Sequence, residues 1–490
     1  MPQIDFHPSS AQLHPAKTGH PATAVWESRL VPALRRMLDR LSVTRAVLHL
    51  VRISRPINSS MDWETNSLTE VIVWIGVDTD TAPELASDLV AGTLAELQAL
   101  ELDKVECEVF TSRTISLAGP PVYAGPTFRE DGFLPDRAQE IARQFVVGIG
   151  LDITPHGSQL QGTGGVFVKL EGRTGIYLLT CHHLLDDDPG AERLIDGYRT
   201  GTAVSLCTDA SFSKHMDDLG EARRYAGSEL ERSKGWMERA DGVAGRPRRR
   251  SLDARMVEHA EKNVLEVDAL RRALETEWAG SDNRIVGQAV CYSPVEVSGQ
   301  DAGLGASEKD EAKLGDVRKP NRSFLDGRSL PGLGDVVLDR DYYEDCAVPV
   351  TGIVSICEIG ETQTRVFKRG AGTGLTSGVL NPVRSVLRDR RMCDGQMQVV
   401  DTWEICAMAW SRPNNTSGHD RNDYGPFCAP GDSGSIVVRV DGRAIGMISR
   451  GLAGFDNKYY GDRCHIALVT PIDLIFEDMA RRYGLVASLA

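Results

Sequence analysis

The sequence predicts a mostly β fold with α+β additions, and three observations predict it. Short runs of β-branched and aromatic residues bounded by glycine turns recur over residues 162–184 and again over 366–453. Residues 25–120 mix such runs with helical spacing, as a small α/β unit does. Residues 211–279 break the β pattern with apolar residues three and four apart. At 490 residues the chain is long enough for about three domains of roughly 150 residues each.

Taken in order, residues 1–24 read as a disordered or loosely attached tail. A small N-terminal α/β domain follows over 25–120. Leu30, Ala33, Leu34, Met37 and Leu41 share one face of a helix at 26–41; 45–53 and 70–77 are β-rich, 82–100 is helical, and 105–111 alternates as a strand. Residues 121–160 form a linker with a short helix at 136–145. A glycine-rich entry, Gly162-Thr163-Gly164-Gly165, leads into a hairpin of strands at 166–170 and 176–180. Leu219, Ala222, Ala226 and Leu230, then Val257, Ala260, Val264, Val267, Leu270, Leu274 and Trp278, describe an inserted antiparallel helical hairpin at 211–279. Residues 285–292 are a strand, and 297–334, rich in Gly, Asp, Lys and Ser, read as a mobile loop. Residues 366–379 read as strand, tight turn, strand; their glycine repeat is no phosphate loop, because no Gly-Lys-Ser/Thr follows. A strand at 399–410 comes next. Asp441-Gly442 between two apolar runs predicts a two-residue hairpin turn with positive φ. Thr470 caps a C-terminal helix and Pro471 suits its first turn, with Ile472, Ile475, Phe476, Met479 and Tyr483 on one face before Gly484.

Composition narrows the function classes. The net charge of −14, from 55 basic and 69 acidic residues, disfavours nucleic acid or an anionic membrane as partner. The Arg246-Pro247-Arg248-Arg249-Arg250 cluster is a local exception, read as a solvated loop. No stretch has the apolar length of a membrane span, and residues 1–20 lack the order of a signal peptide. Ten cysteines include no Cys-x-x-Cys pair, so neither a zinc ribbon nor a redox motif is expected. Cys291, Cys346, Cys357 and Cys406 lie in apolar runs, as buried thiols do. An intracellular, cytoplasmic setting is expected, with no metal and no cofactor.

The chemistry concentrates in Gly431-Asp432-Ser433-Gly434-Ser435, where one hydroxyl stands among glycines that let backbone N–H groups approach a substrate. With the strand ending in Ser449-Arg450-Gly451, this stretch resembles the nucleophile loop of chymotrypsin-like serine peptidases. Leu179-Thr180-Cys181-His182-His183 resembles the strand end that carries that family's catalytic histidine, and the match falls on His183. Secreted members carry a cysteine directly after that histidine; here Leu184 stands there. Asp345-Cys346-Ala347-Val348 resembles the segment supplying the triad acid, with Asp335, Asp339 and Asp341 as rivals. The insertion, with Trp278-Ala279 and Arg284-Ile285-Val286-Gly287 behind it, resembles that of fungal trypsin-like proteins.

The resemblance covers roughly residues 160–484, less the helical insertion and the 297–334 loop, and implies a chymotrypsin-like double β-barrel at 161–490. It implies Ser433 as nucleophile, His183 as base and Asp345 as its orienting acid, in that family's chain order. It further implies Gly431 and Ser433 N–H groups as the oxyanion hole. Phe427, Ser449 and Gly451 then border the first specificity pocket, where no acidic residue is evident, so an uncharged or apolar side chain is expected there. The substrate is a peptide or protein; an esterase on the same triad is a variant of this expectation. The alternative is an inactive pseudopeptidase acting as an interaction scaffold, with the helical insertion or the N-terminal domain offering the partner surface.

Overall fold

The computed structural model describes residues 12–55, 67–68, 71–78, 80–116, 138, 141–142, 144–145, 148–181, 184, 202–241, 247–292, 303–307, 322–324, 347–359, 364–393, 396–409, 426–453 and 464–490. The strands of the first half are β1 (Gln12–Pro15), β2 (Ala46–Arg55), β3 (Ser67–Leu68), β4 (Ile72–Val77), β5 (Glu106–Thr111), β6 (Arg113–Ser116), β7 (Leu151–Pro155), β8 (Gly162–Gly164), β9 (Phe167–Leu170), β10 (Ile176–Thr180) and β11 (Ala203–Leu206). Those of the second half are β12 (Ile285–Tyr292), β13 (Gly303–Ser307), β14 (Arg322–Phe324), β15 (Ala347–Pro349), β16 (Gly352–Ile353), β17 (Arg365–Gly370), β18 (Gly374–Leu380), β19 (Ser385–Cys393), β20 (Gln396–Ala409), β21 (Ile436–Arg439), β22 (Arg443–Ala453), β23 (Cys464–Pro471) and β24 (Ala487–Leu489). Helices are α1 (Pro21–Val25), α2 (Val31–Arg40), α3 (Pro83–Ala99), α4 (Asp209–Asp241), α5 (Pro247–Ala273) and α6 (Ile472–Tyr483), with π turns at Trp26–Leu30 and Leu274–Trp278. The chain is mostly β.

Two sheets carry the described strands that matter for the site. The larger runs β16-β22-β21-β17-β18-β20-β19-β2-β4-β5 and is mixed, since β4–β5 and β16–β22 are parallel pairs. The smaller runs β24-β9-β10-β13-β12-β11-β7-β8. β4 is buried at every position because both its faces are covered, which is why its sequence lacks polar alternation. Val73 and Ile75 face α2 and α3 through Leu34, Leu38, Leu89 and Leu97. Ile72 and Trp74 pack with Leu387, Met408 and Leu468 on the other side. The N-terminal elements thus join the C-terminal strands through main-chain pairing as well as packing, with Leu48 opposite Val386.

The helical insertion leaves from β11 and returns at β12, which are paired neighbours, so the sheet closes beneath it. Phe212, Leu219, Ala222, Val267, Leu274 and Trp278 seat it on Leu151, Ile153 and Phe167. Arg284, buried, donates to the Trp278 and Ala279 carbonyls and pairs with Asp209 at the start of α4.

Several expectations need correction. Residues 12–24 are not a loose tail: β1 pairs with β2, and Ala16 N donates to Asn381 Oδ1 at 2.9 Å. The bridging segment contains β7, which is buried throughout. The stretch expected as a mobile loop supplies β13, paired on both sides by β10 and β12, and β14, paired with β15. Main-chain pairing from two neighbours orders a strand that has little apolar side-chain area of its own. In the β21–β22 connection only Gly442 takes positive φ (+83°), and its N–H donates to the Arg439 carbonyl at 2.9 Å. That makes a three-residue loop closed by glycine in place of a two-residue turn. Thr470 does not cap α6; its hydroxyl donates to Glu404 Oε2 at 3.1 Å. Gly484 ends the helix in the left-handed region as expected.

Candidate active site

The turn bearing Ser433 lies where the two sheets meet. Asp432 N donates to the Ala429 carbonyl and Ser435 N to the Asp432 carbonyl, each at 3.0 Å, so two tight turns run back to back. Gly431 and Gly434 take φ of +100° and +93°, conformations that only glycine adopts without strain. A Cβ on Gly434 would also overlap the Thr163 carbonyl oxygen. The turn is therefore sewn to β8 at a distance that excludes any side chain.

Thr163 makes that connection. Its N–H donates to the Ser433 carbonyl at 2.7 Å, and its hydroxyl donates to the Gly431 carbonyl at 2.7 Å while accepting from Ala371 N at 2.9 Å. Its own carbonyl accepts from Thr180 Oγ1 at 2.7 Å. Cys181, next along, donates through Sγ to the Ile448 carbonyl at 3.2 Å, the same carbonyl that accepts from Gly434 N. One threonine thus ties together β8, the end of β10, the 371–374 turn and the serine turn.

Asp432 is the second fixed point. Its Oδ2 accepts from Ala429 N at 2.9 Å and Thr373 Oγ1 at 2.7 Å, and pairs with Lys368 Nζ at 2.8 Å. Its Oδ1 accepts from Gly372 N at 2.9 Å and Thr373 N at 3.1 Å. Neither side chain of the ion pair is exposed. A buried carboxylate with this many donors is one whose lost hydration has been replaced.

Ser433 is itself fully buried, and its hydroxyl donates to the Ser449 carbonyl at 3.2 Å. The Gly431 N–H makes no hydrogen bond to another described residue. Ser449 is buried, with its own hydroxyl directed to the Leu468 carbonyl at 3.4 Å. Gly451 sits inside β22, opposite Ala467 on one side and Ile115 on the other. Phe427 is a core side chain among Val366, Leu380 and Ile405, and its carbonyl accepts from Thr376 Oγ1 of β18 at 2.8 Å. His183 and Asp345 lie outside the described residues, as do Asp335, Asp339 and Asp341. No cluster of metal-binding side chains occurs among the described residues. None of the described helices is long and apolar enough to cross a membrane.

Thr163, Lys368 and Thr373 were not singled out by sequence reasoning. A lysine in a run read as strand and turn looks solvated, and nothing local announces that Asp432, more than sixty residues on, is its counter-ion. The one available signal was the glycine density at 162–165 and at 370–374, which marks close backbone approach. No protein-family model matches the chain and no curated protein is similar to it.

Proposed function

We propose that this chain is a serine-type endopeptidase on a chymotrypsin-like double β-barrel, with the smaller sheet and the C-terminal part of the larger sheet as its two barrels. The observation that carries the reading is the serine turn: Ser433 is held between two positive-φ glycines by bonds from both sheets. The end of β10 at Thr180 and the following Cys181, two residues ahead of His183 in sequence, bond around this turn.

In this mechanism the Ser433 Oγ attacks the scissile carbonyl carbon as its proton passes to His183, which Asp345 orients. The carbonyl oxygen becomes an oxyanion, received by the N–H groups of Gly431 and Ser433. His183 then gives its proton to the departing amine as the C–N bond breaks. Water, deprotonated by the same imidazole, releases the acyl group and restores the hydroxyl. Losing one oxyanion donor in such a site costs about 3 kcal/mol of transition-state stabilisation.

A second reading has its own support. Ser433 is buried and its hydroxyl donates to the Ser449 carbonyl, a bond that must be released before the oxygen attacks. A protein-binding body built on an inactive site accounts for that. A fluorophosphonate probe separates the two. Labelling of the full chain that vanishes in Ser433→Ala and falls by about 10⁶ in His183→Ala supports the peptidase; a folded wild type that takes no label supports the binding body. Ester against amide turnover then distinguishes esterase from peptidase. Profiling with a peptide library should show an uncharged or apolar residue before the scissile bond, and a strict Arg or Lys preference refutes that specificity.

A further inference from the structure

The geometry points to Lys368 as a positioning residue whose buried ammonium locks the serine turn in the intact chain, so that the oxyanion site is formed without cleavage or an external activator. The inference rests on the peptidase reading for its functional meaning and on the ion pair for its structural content.

Among the described residues, the donors to the Asp432 carboxylate come from residues 368, 372, 373 and 429. Four of the five are uncharged, and Lys368 supplies the only positive charge in direct contact among the described residues. Lys368 is held in turn by Thr373 Oγ1 and by the Gly374 carbonyl at 3.4 Å. Lysine, turn and aspartate therefore form one closed unit. It spans the 371–374 turn and the 429–435 turn, which also share the Thr163 hydroxyl.

Removing the ammonium leaves a carboxylate that must take up a proton or move. A proton there conflicts with the surrounding set, because backbone N–H groups of Ala429, Gly372 and Thr373 all donate towards it. Only the Thr373 hydroxyl can reverse to accept. Either response shifts the backbone around Asp432: the unit after it carries the Ser433 N–H, and the unit ahead of Gly431, one residue further back in the same turn, carries the Gly431 N–H. The consequence falls on transition-state stabilisation more than on substrate binding.

The test is Lys368→Met in the full chain, read by hydrogen exchange over residues 371–374 and 429–435 and by probe labelling, with intact mass recorded. Exchange in both segments should quicken at least about tenfold while α4 and α5 stay unchanged. The labelling rate and kcat should fall roughly 100-fold with KM nearly constant, the size of a lost oxyanion donor. The wild-type adduct should have the mass of the uncut chain plus one probe. Unchanged exchange in folded Lys368→Met overturns the inference, as does labelling confined to a cleaved wild-type form. Should Lys368→Met not fold, Thr373→Val removes the shared hydroxyl and leaves both charges; unchanged exchange there overturns the inference equally. A wild type that takes no label, with exchange that responds to Lys368→Met, leaves the lock standing and removes the peptidase reading alone.

Discussion

Asp432 and Asp152 are both buried aspartates, and a single residue, Thr163, adjoins both. Thr163 pairs with Asp152 across β7 and β8 and donates to the carbonyl of Ser433 beside Asp432. Their surroundings differ in kind. Asp432 has an ammonium, a hydroxyl and three backbone N–H groups. Asp152 has a hydrogen bond from Gln161, and its Oδ1 has no partner among the described residues. Burial therefore pushes the Asp152 carboxyl well above the usual carboxylate range, with the Gln161 bond opposing only in part. Gln161 continues to Ser211 at 2.8 Å and so to the foot of α4. Asp432 ties two turns together through its ion pair and hydrogen bonds, whereas Asp152 is a polar link at the foot of the helical insertion that favours its proton. Depth alone decides neither outcome; the donors brought to the group do.

Substitution by asparagine should separate the two most sharply. Asp432→Asn strands the Lys368 ammonium in the interior and should cost about 3–5 kcal/mol of stability, measurable by urea denaturation. A loss below about 1 kcal/mol would mean that the pair contributes little and that the contrast with Asp152 is wrong. Gly434→Ala should cost about 3 kcal/mol, from a disallowed φ and the overlap with Thr163. Thr163→Val keeps the volume but leaves the Gly431 carbonyl and Ala371 N–H unpaired, for about 2 kcal/mol by the same measurement. If Thr163→Val were silent, the bridge between the sheets would be carried by main-chain bonds alone.

These sites show what the sequence could disclose. The serine turn was legible because its glycines lie three residues apart and their φ requirement is local. The helical insertion was legible because its period is local too, as was the run of Ile472, Ile475 and Met479 that α6 buries. The unit Lys368–Thr373–Asp432 was not legible, since its members belong to separate strands and turns that only the sheet brings together. The same reason hid β13, whose Gly303-Leu304-Gly305-Ala306-Ser307 owes its order to partners on both sides. Thr470 was misread because a hydroxyl ahead of a helix usually caps it, and here the buried Glu404 carboxylate claims the bond instead. Of the three residues proposed as a triad, Ser433 is the one whose surroundings are described; His183 and Asp345 lie outside the described residues.

The smallest and most discriminating effect is that of Asp152→Asn. The folded chain binds the Asp152 proton more tightly than the unfolded chain does, because burial penalises the anion. The stability this contributes is complete below about pH 4, the unfolded value, and is lost as pH rises towards the raised folded value. Asparagine reproduces the protonated shape and can still accept from Gln161, yet it has no proton to lose. The difference in Tm, variant minus wild type, should therefore be near zero at about pH 4 and grow steadily positive towards about pH 8. The helical insertion should report it locally, as slower hydrogen exchange at the start of α4 in the variant at the alkaline end. A difference that falls with pH would mean that the fold stabilises the Asp152 anion, and the two aspartates would then be alike after all. A flat difference would mean that water reaches Asp152 and that its neighbourhood, unlike that of Asp432, is not sealed.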